Sequence, residues 1–239
     1  AINDSQSSNE LTNLINDESV VIIKEYLCKN KIAEIIEYLN NLIRDSIPAY
    51  QEITHGSKNF YRTNFEDQRS FVKGHFHQVN FFPWNQDDLN FYSLFKDIFY
   101  LKNALNSLKK NKFLDGNDEN FIPKLSFQFY DSGAGFLERH SDTVGEHQSI
   151  VPILSMSLKG KDFLSGGLEV EIDGDWQIID DHVEPGDLIL MNADLPHGVK
   201  KIDPDQDFNV NSSGRWMGLF AINKVAGSTK VPDSKPLNE

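Results

Sequence analysis

The chain has 239 residues and a formal net charge of −13, which arises from 23 basic and 36 acidic side chains. Hydrophobic residues make up 39% and aromatic residues 11%, which is enough for a sizeable core and excludes a globally disordered chain. The acidic surplus disfavours nucleic acid as a partner, because a general nucleic-acid binder needs a positive surface. No apolar run approaches the roughly 20 residues that cross a bilayer, so a membrane partner is not expected.

The cysteine content and the first residues of the chain indicate in which cellular compartment the protein is expected. Cys28 is the only cysteine, so an internal disulfide and thiolate zinc sites are excluded. The first residues lack the basic and apolar regions of a secretion signal. We therefore expect a cytoplasmic protein. No sequence feature indicates an oligomeric state.

The first 120 residues are expected to form helices and irregular segments. Residues 49–70 show no clear periodicity and predict a long irregular segment. The second helix is expected to be capped by Asn85 or Asp87. The predicted elements are a short helix at best within 1–18, a strand at 20–23, and helices at about 29–46 and 86–110.

From Phe121 onward the apolar spacing changes to a period of two. Short strands separated by regular turn signals predict a closed or two-sheet antiparallel fold, with the preceding helices covering one face of a sheet. We expect a single catalytic domain over 1–225, made of a helical and irregular N-terminal region at 1–120 and a β core at 121–224, and a flexible tail at 226–239. The predicted strands are about 123–130, 134–140, 149–158, 167–172, 176–180, 187–191, 196–202 and 215–223.

A histidine and a carboxylate stand two residues apart at the end of a predicted strand. His140 and Asp142 therefore point the same way, and His197 follows after a Pro-Gly-Asp turn and an apolar strand. Two imidazoles and one carboxylate on one face of an iron, with the other positions open, form the ligand set of non-haem Fe(II) oxygenases. The three residues are our candidate metal ligands and catalytic centre.

An arginine on the last predicted strand is the second candidate. By the period of two, Arg215 shares a face with Met217, Leu219 and Ala221. An arginine on an otherwise apolar face needs an anion, and its planar guanidinium fits a carboxylate. We therefore expect Arg215 to bind a dicarboxylate co-substrate.

The stretch from Tyr130 to Asp142, with its glycines at 133 and 135, resembles the motif of the prolyl-hydroxylase-like group within the Fe(II)/2-oxoglutarate-dependent dioxygenase superfamily. The Gly-Gly pair at 166–167 resembles the group's strand start, and 184–197 resembles its approach to the second histidine. The resemblance covers about 121–224.

This resemblance implies a double-stranded β-helix, that is, a jelly-roll or cupin-like barrel with N-terminal helices packed on one sheet. It implies that His140, Asp142 and His197 bind Fe(II), and that Arg215, helped by Tyr130, binds 2-oxoglutarate. It further implies O₂ as oxidant, succinate and CO₂ as products, and hydroxylation of an unactivated C–H bond, with ascorbate a candidate reductant. The gap from His197 to Arg215 is longer than is usual in that group, which suggests an insertion at 203–214 and makes Lys200 or Lys201 the alternatives to Arg215.

The substrate is expected to be a small molecule or a peptidyl residue. The acidic residues that alternate along 169–180 are expected to form a solvated face. A non-catalytic metal-binding jelly-roll sensor is the alternative function, and an interaction module with a coincidental triad is the third. The candidate substrate contacts are Arg62, His75, His77, Trp84 and Arg139.

Overall fold

The computed structural model describes residues 10–15, 20–115, 118–208, 213–228 and 233–237. Among these residues, no helix combines the length and the apolar character needed to span a membrane. Residues 10–15 are helical (α1). The other elements in chain order are β1 (Val20–Ile23), α2 (Lys29–Asp45), β2 (Phe60–Phe65), β3 (Gly74–Phe81), α3 (Phe91–Leu105), β4 (Phe121–Asp131), β5 (Phe136–Asp142), β6 (Ile150–Ser155), β7 (Gly167–Ile172), β8 (Asp175–Ile178), a 3-10 turn (Ile179–Asp181), β9 (Leu188–Asn192), β10 (His197–Lys200), β11 (Gly214–Lys224) and β12 (Ser234–Pro236).

The strands form one curled antiparallel sheet in two groups. The first group has the order β1-β9-β6-β11-β4-β3, and the second has the order β5-β10-β7-β8. The groups join where the first two residues of β3 pair with the start of β5. Successive strands from β4 to β11 alternate between the two groups, except that β7 and β8 are neighbours in the second group. This is the connectivity of a double-stranded β-helix. The predicted fold class is confirmed, and each of the eight predicted core strands is present.

The N-terminal half contributes more strand than the sequence predicts. The segment 49–70 was predicted to be irregular, but β2 lies within it and pairs with β3 along its whole length. β3 in turn pairs with β4 and widens the first group of strands. The period of two was obscured because polar side chains of β2 and β3, such as Asn64, Gln78 and Asn80, are buried.

The helices cover the outer face of the first group of strands, as predicted. Ile32, Ile35 and Leu39 of α2 join one core cluster, which also holds the phenylalanines of α3 and the outward-facing residues of β4 and β11. α3 begins at Phe91 rather than near residue 86, because the carboxylate of Asp87 accepts the backbone N–H of Phe91 and holds the preceding turn.

A short strand lies in the segment that the sequence predicts to be a loose tail. β12 pairs with the end of β5, placing Ser234 opposite Asp142. β3 pairs only with the start of β5, so the last residues of β5 would otherwise present an open edge on that side. β12 occupies this edge, and the proline at its end is tolerated in an edge strand.

Candidate metal centre

The predicted triad converges at one end of the barrel. The antiparallel pairing of β5 and β10 places His140 opposite His197, with their ring centroids 4.2 Å apart. Asp142 is two residues further along β5, and its Oδ1 is 3.7 Å from His140 Nε2. One ligand atom from each of the three residues lies within 4.8 Å of the other two. Within the described ranges, this is the only such group of His, Cys, Asp and Glu side chains.

Backbone carbonyls orient both imidazoles. The Nδ1 of His140 lies 2.9 Å from the carbonyl of Glu138, and the Nδ1 of His197 lies 2.8 Å from the carbonyl of Leu195. A carbonyl only accepts, so each Nδ1 carries the proton and donates, which leaves the Nε2 lone pair free for a metal. Burial, followed by the neighbouring His197, lowers the pKa of His140 to about 4, so this ring is neutral near pH 7.

The carboxylate of the triad is oriented by the C-terminal strand. Asp142 Oδ1 accepts a hydrogen bond of 2.6 Å from the Ser234 hydroxyl. The backbone N–H of Asp142 donates to the carbonyl of Ala193, which ties the end of β5 to the turn before β10. Hydrogen bonds of this kind fix the direction of a ligating carboxylate. Ser234 could not be predicted, because a serine in a polar tail carries no recognisable signal.

A cavity of about 420 Å³ reaches the triad from between the two groups of strands. This volume lies within the range of small-molecule sites. One region of the lining is apolar and includes Leu168, Val199 and Met217. Another region is polar and is built by β2, β3 and β4.

The buried pair Arg215 and Tyr130 lies on the inner face of the first group of strands. The register of β11 on β4 places the two residues directly opposite each other, despite the long segment before Arg215. The Tyr130 hydroxyl donates to Gln128 Oε1 at 2.6 Å, and burial raises the pKa of Tyr130 above its ordinary value. Tyr130 lines the cavity, whereas Arg215 does not.

The guanidinium of Arg215 is only partly satisfied. Its Nε donates to Asp180 Oδ2 at 2.7 Å, and the residue is 1% exposed. Nη1 and Nη2 are buried without a hydrogen-bond partner among the described residues. Two parallel N–H groups without an acceptor match the two oxygens of a carboxylate. The alternatives Lys200 and Lys201 are both exposed.

The described start of the predicted insertion is fixed by a buried carboxylate. Asp203 begins the predicted insertion and is buried. Its carboxylate accepts from the Ser132 hydroxyl at 2.5 Å and from the backbone N–H of Ser165 at 2.7 Å. These bonds anchor the segment to the turn after β4 and to the residues that precede β7. Residues 209–212 of the predicted insertion lie outside the described residues, and its last residue, Gly214, begins β11.

Asp180 was expected on a solvated face but is 4% exposed, and this expectation was wrong. It accepts the backbone N–H of Leu168 as well as the Nε of Arg215. A Cβ on Gly167, whose φ is +115°, would meet Asp180 Oδ2 at 2.4 Å. The second glycine of the Gly-Gly pair therefore makes room for the carboxylate. The Gly-Gly pair was the one feature of the sequence that could have indicated a buried side chain packed against the start of β7.

The candidate substrate contacts separate into two sets. Arg62 lines the cavity, and its contact with a substrate stays a prediction. His75 and His77 do not, because strand alternation places them on the opposite face of β3, where His77 Nε2 is 3.1 Å from Asp131 Oδ2. Arg139 points away from its neighbour His140 and pairs with Glu169. Trp84 donates to the carbonyl of Ser57 and lies outside the cavity lining.

Lys124 is a further cavity residue that the sequence analysis missed. It is 7% exposed and lines the cavity on the inner face of β4. Burial, followed by the charge of Arg62, lowers its pKa to about 7. The signal was the alternation of Lys124, Ser126, Gln128 and Tyr130, which the sequence analysis counted only as strand periodicity.

Comparison with known proteins adds to this geometry. No model of a known protein family matches the sequence, and no curated protein matches it. Solved structures do match, among them a prolyl-4-hydroxylase from Pseudomonas putida, with a TM-score of 0.54 and 17% identity over 90% of this chain and 98% of that chain.

Another match is the non-heme alpha-ketoglutarate-dependent epimerase SnoN from nogalamycin biosynthesis, with a TM-score of 0.54 and 10% identity over 99% of this chain and 97% of that chain. SnoN has also been solved with Fe³⁺, alpha-ketoglutarate and nogalamycin RO. A third is a prolyl hydroxylase from Trichoplax adhaerens in complex with a peptide of a hypoxia-inducible factor, with a TM-score of 0.50 and 14% identity over 91% of this chain and 90% of that chain. At these identities the matches show a shared fold, and they are proteins of the kind that the sequence resemblance predicts.

Proposed function

We propose that this chain is an Fe(II)- and 2-oxoglutarate-dependent oxygenase that hydroxylates an unactivated C–H bond of a small molecule or a peptidyl residue. The observation that carries the proposal is the triad, whose two imidazoles are held with free Nε2 atoms beside an oriented carboxylate at the cavity. Solved proteins of the same fold include a hydroxylase and an alpha-ketoglutarate-dependent epimerase, which supports the proposal.

His140, Asp142 and His197 would hold the metal. Three ligands on one face leave coordination positions for a co-substrate and O₂, whereas a fourth protein ligand would close the site. When bound, Fe(II) with 2-oxoglutarate and O₂ supplies the oxidising chemistry, and succinate and CO₂ are the products. The role of the protein is to hold these groups, to orient the substrate and to exclude water.

Arg215 would receive the distal carboxylate of 2-oxoglutarate through its two orphaned nitrogens. Asp180 holds the guanidinium by its Nε and so fixes the direction in which Nη1 and Nη2 point. Tyr130 lies opposite Arg215 and closes the adjoining wall. The apolar lining beside them excludes water, which strengthens the charge interaction between arginine and carboxylate.

The proposal is tested by succinate formation under air with Fe(II), 2-oxoglutarate and ascorbate, in wild type and in His140→Ala. Wild type should form succinate even without substrate, through slow uncoupled turnover, and the variant should not. Iron binding without any succinate would indicate a metal-binding sensor instead. Once a substrate is found, a product that has gained one oxygen atom supports hydroxylation, whereas an unchanged mass with inverted stereochemistry would indicate epimerisation.

A further inference from the structure

One wall of the cavity presents hydrogen-bond donors and few free acceptors. The wall consists of the facing side chains of β2, β3 and β4. Arg62 lies opposite Gln78, and Asn80 lies opposite Ser126. Lys124 is the next inward-facing residue of β4. All of these except Ser126 line the cavity.

Hydrogen bonds fix the direction of four side chains of this wall, namely Arg62, Gln78, Ser126 and Asn80. The Nε of Arg62 can only donate, so Gln78 presents Oε1 to it, at 2.5 Å. The Nε2 of Gln78 then donates to Ser126 Oγ at 3.3 Å, and the Ser126 hydroxyl donates to Asn80 Oδ1 at 2.6 Å. Each acceptor of the network is used. The Nδ2 of Asn80 remains buried without a partner among the described residues.

Two cations complete this donor wall. Lys124 is only 7% exposed, and its Nζ has no hydrogen-bond or ion-pair partner within the described ranges of the chain. The positive charge of Arg62 acts unfavourably on Lys124.

The charges of Asp233 and Asp142 act favourably on Lys124, but neither carboxylate forms an ion pair with it. Asp142 belongs to the triad, and Asp233 accepts from Asn223 through Oδ2 at 3.0 Å, while its Oδ1 has no hydrogen-bond partner among the described residues. Asp67, which acts on Arg62, is paired with Arg69. An unpaired buried charge is costly, and such groups persist at sites that bind the missing counter-ion.

We propose that the donor wall of Arg62, Asn80 and Lys124 is a subsite for an oxyanion of the substrate, a carboxylate or a phosphate. The inference rests on the proposed function in one respect, namely that the compound bound beside the triad is the substrate. The subsite is separate from Arg215, which does not line the cavity and pairs with Asp180. An acidic substrate would place its anionic group on the donor wall and the rest of its skeleton toward the triad.

The test uses metal-free protein, so that it does not depend on oxygenase activity. Binding is measured by saturation-transfer NMR. The free proteinogenic L-amino acids are compared with their primary amides, and glycerol 3-phosphate is compared with glycerol. The variants are Lys124→Met and Arg62→Met, with Lys161→Met as an exposed control outside the cavity. We expect members of the acid or the phosphate series to bind and their neutral partners not to bind. We expect either cavity variant to weaken that binding on the order of tenfold or more, with the control unchanged.

Three results would overturn the subsite. They are equal binding of the neutral partners, no binding by any acid or phosphate, and undiminished binding in both cavity variants. The metal-loaded protein separates the subsite from the co-substrate site, because Lys124→Met should leave the apparent 2-oxoglutarate constant unchanged. A raised constant would assign Lys124 to the co-substrate and refute the proposal. Failure of the proposed function shows itself separately, as a wild type that forms no succinate.

Discussion

Lys124 is a buried cation without a partner among the described residues, so replacing it should stabilise the metal-free protein. Burial and the charge of Arg62 lower its pKa from 10.5 to about 7. The difference of about 3.5 units, at 1.36 kcal/mol per unit, corresponds to a penalty on the order of 5 kcal/mol for keeping the charge in the folded state. This is a large fraction of the 5–15 kcal/mol that is typical of a domain. Lys124→Met keeps the length of the side chain and removes the charge.

The lowered pKa of Lys124 also predicts how the stability difference between Lys124→Met and wild type changes with pH. In the unfolded chain the lysine holds its proton up to about pH 10.5, whereas in the folded chain it releases the proton near pH 7. Between these values the unfolded state binds more protons, so wild-type stability rises with pH across this window. The advantage of Lys124→Met should therefore be greatest below about pH 7 and should shrink toward about pH 10.

Urea unfolding of wild type and Lys124→Met at about pH 6, 8 and 10 measures this difference directly. The exposed variant Lys161→Met is the control and should follow wild type throughout. Two results would refute the conclusion that burial of the charged lysine destabilises the folded protein. They are equal stability of Lys124→Met and wild type at about pH 6, and a stability advantage of the variant that grows with pH.

Three other predictions concern groups around the triad. The double variant Arg215→Met/Asp180→Asn removes a buried ion pair without leaving one charge alone. It should raise the apparent 2-oxoglutarate constant on the order of 100-fold with iron still bound. An unchanged constant in steady-state kinetics would show that Arg215 does not bind 2-oxoglutarate. Ser234→Ala should weaken Fe(II) binding by about 10-fold or more in an anaerobic titration, because Asp142 loses its hydrogen bond, and unaltered affinity would show that the bond is dispensable. Gly167→Ala should lower the free energy of unfolding by about 1–3 kcal/mol, because its Cβ meets Asp180, and a neutral effect in denaturant melts would contradict that contact.

The sequence allowed the fold and the triad to be predicted because local patterns encode both. Strand alternation places His140 and Asp142 on one face, and the pairing of β5 with β10 then brings His197 against them. The pairing of Tyr130 with Arg215 also follows from strand register. The strands and the shared face of His140 and Asp142 follow from the period of two, which is visible in a single sequence. The double-stranded β-helix and the place of Tyr130 beside Arg215 were implied by the family resemblance.

Other features depend on contacts between distant segments, so they could not be predicted. Asp180 resembles its solvated neighbours in sequence, and only the three-dimensional structure brings it to Arg215, 35 positions away. Ser234 reaches Asp142 across 92 positions through an edge that β3 leaves open. Lys124 was missed because the polar face of β4 turns inward to the cavity, whereas its apolar face packs on the helices.

The central claim is that His140, Asp142 and His197 hold an Fe(II) ion to which 2-oxoglutarate binds. One spectrum tests this claim most directly. Anaerobic addition of Fe(II) and 2-oxoglutarate should give the weak visible charge-transfer band of the chelate in wild type and in the exposed control His182→Ala. The same band should be absent in His140→Ala, because that variant loses an imidazole ligand. A wild type without the band, or a band that persists in His140→Ala, would contradict the account.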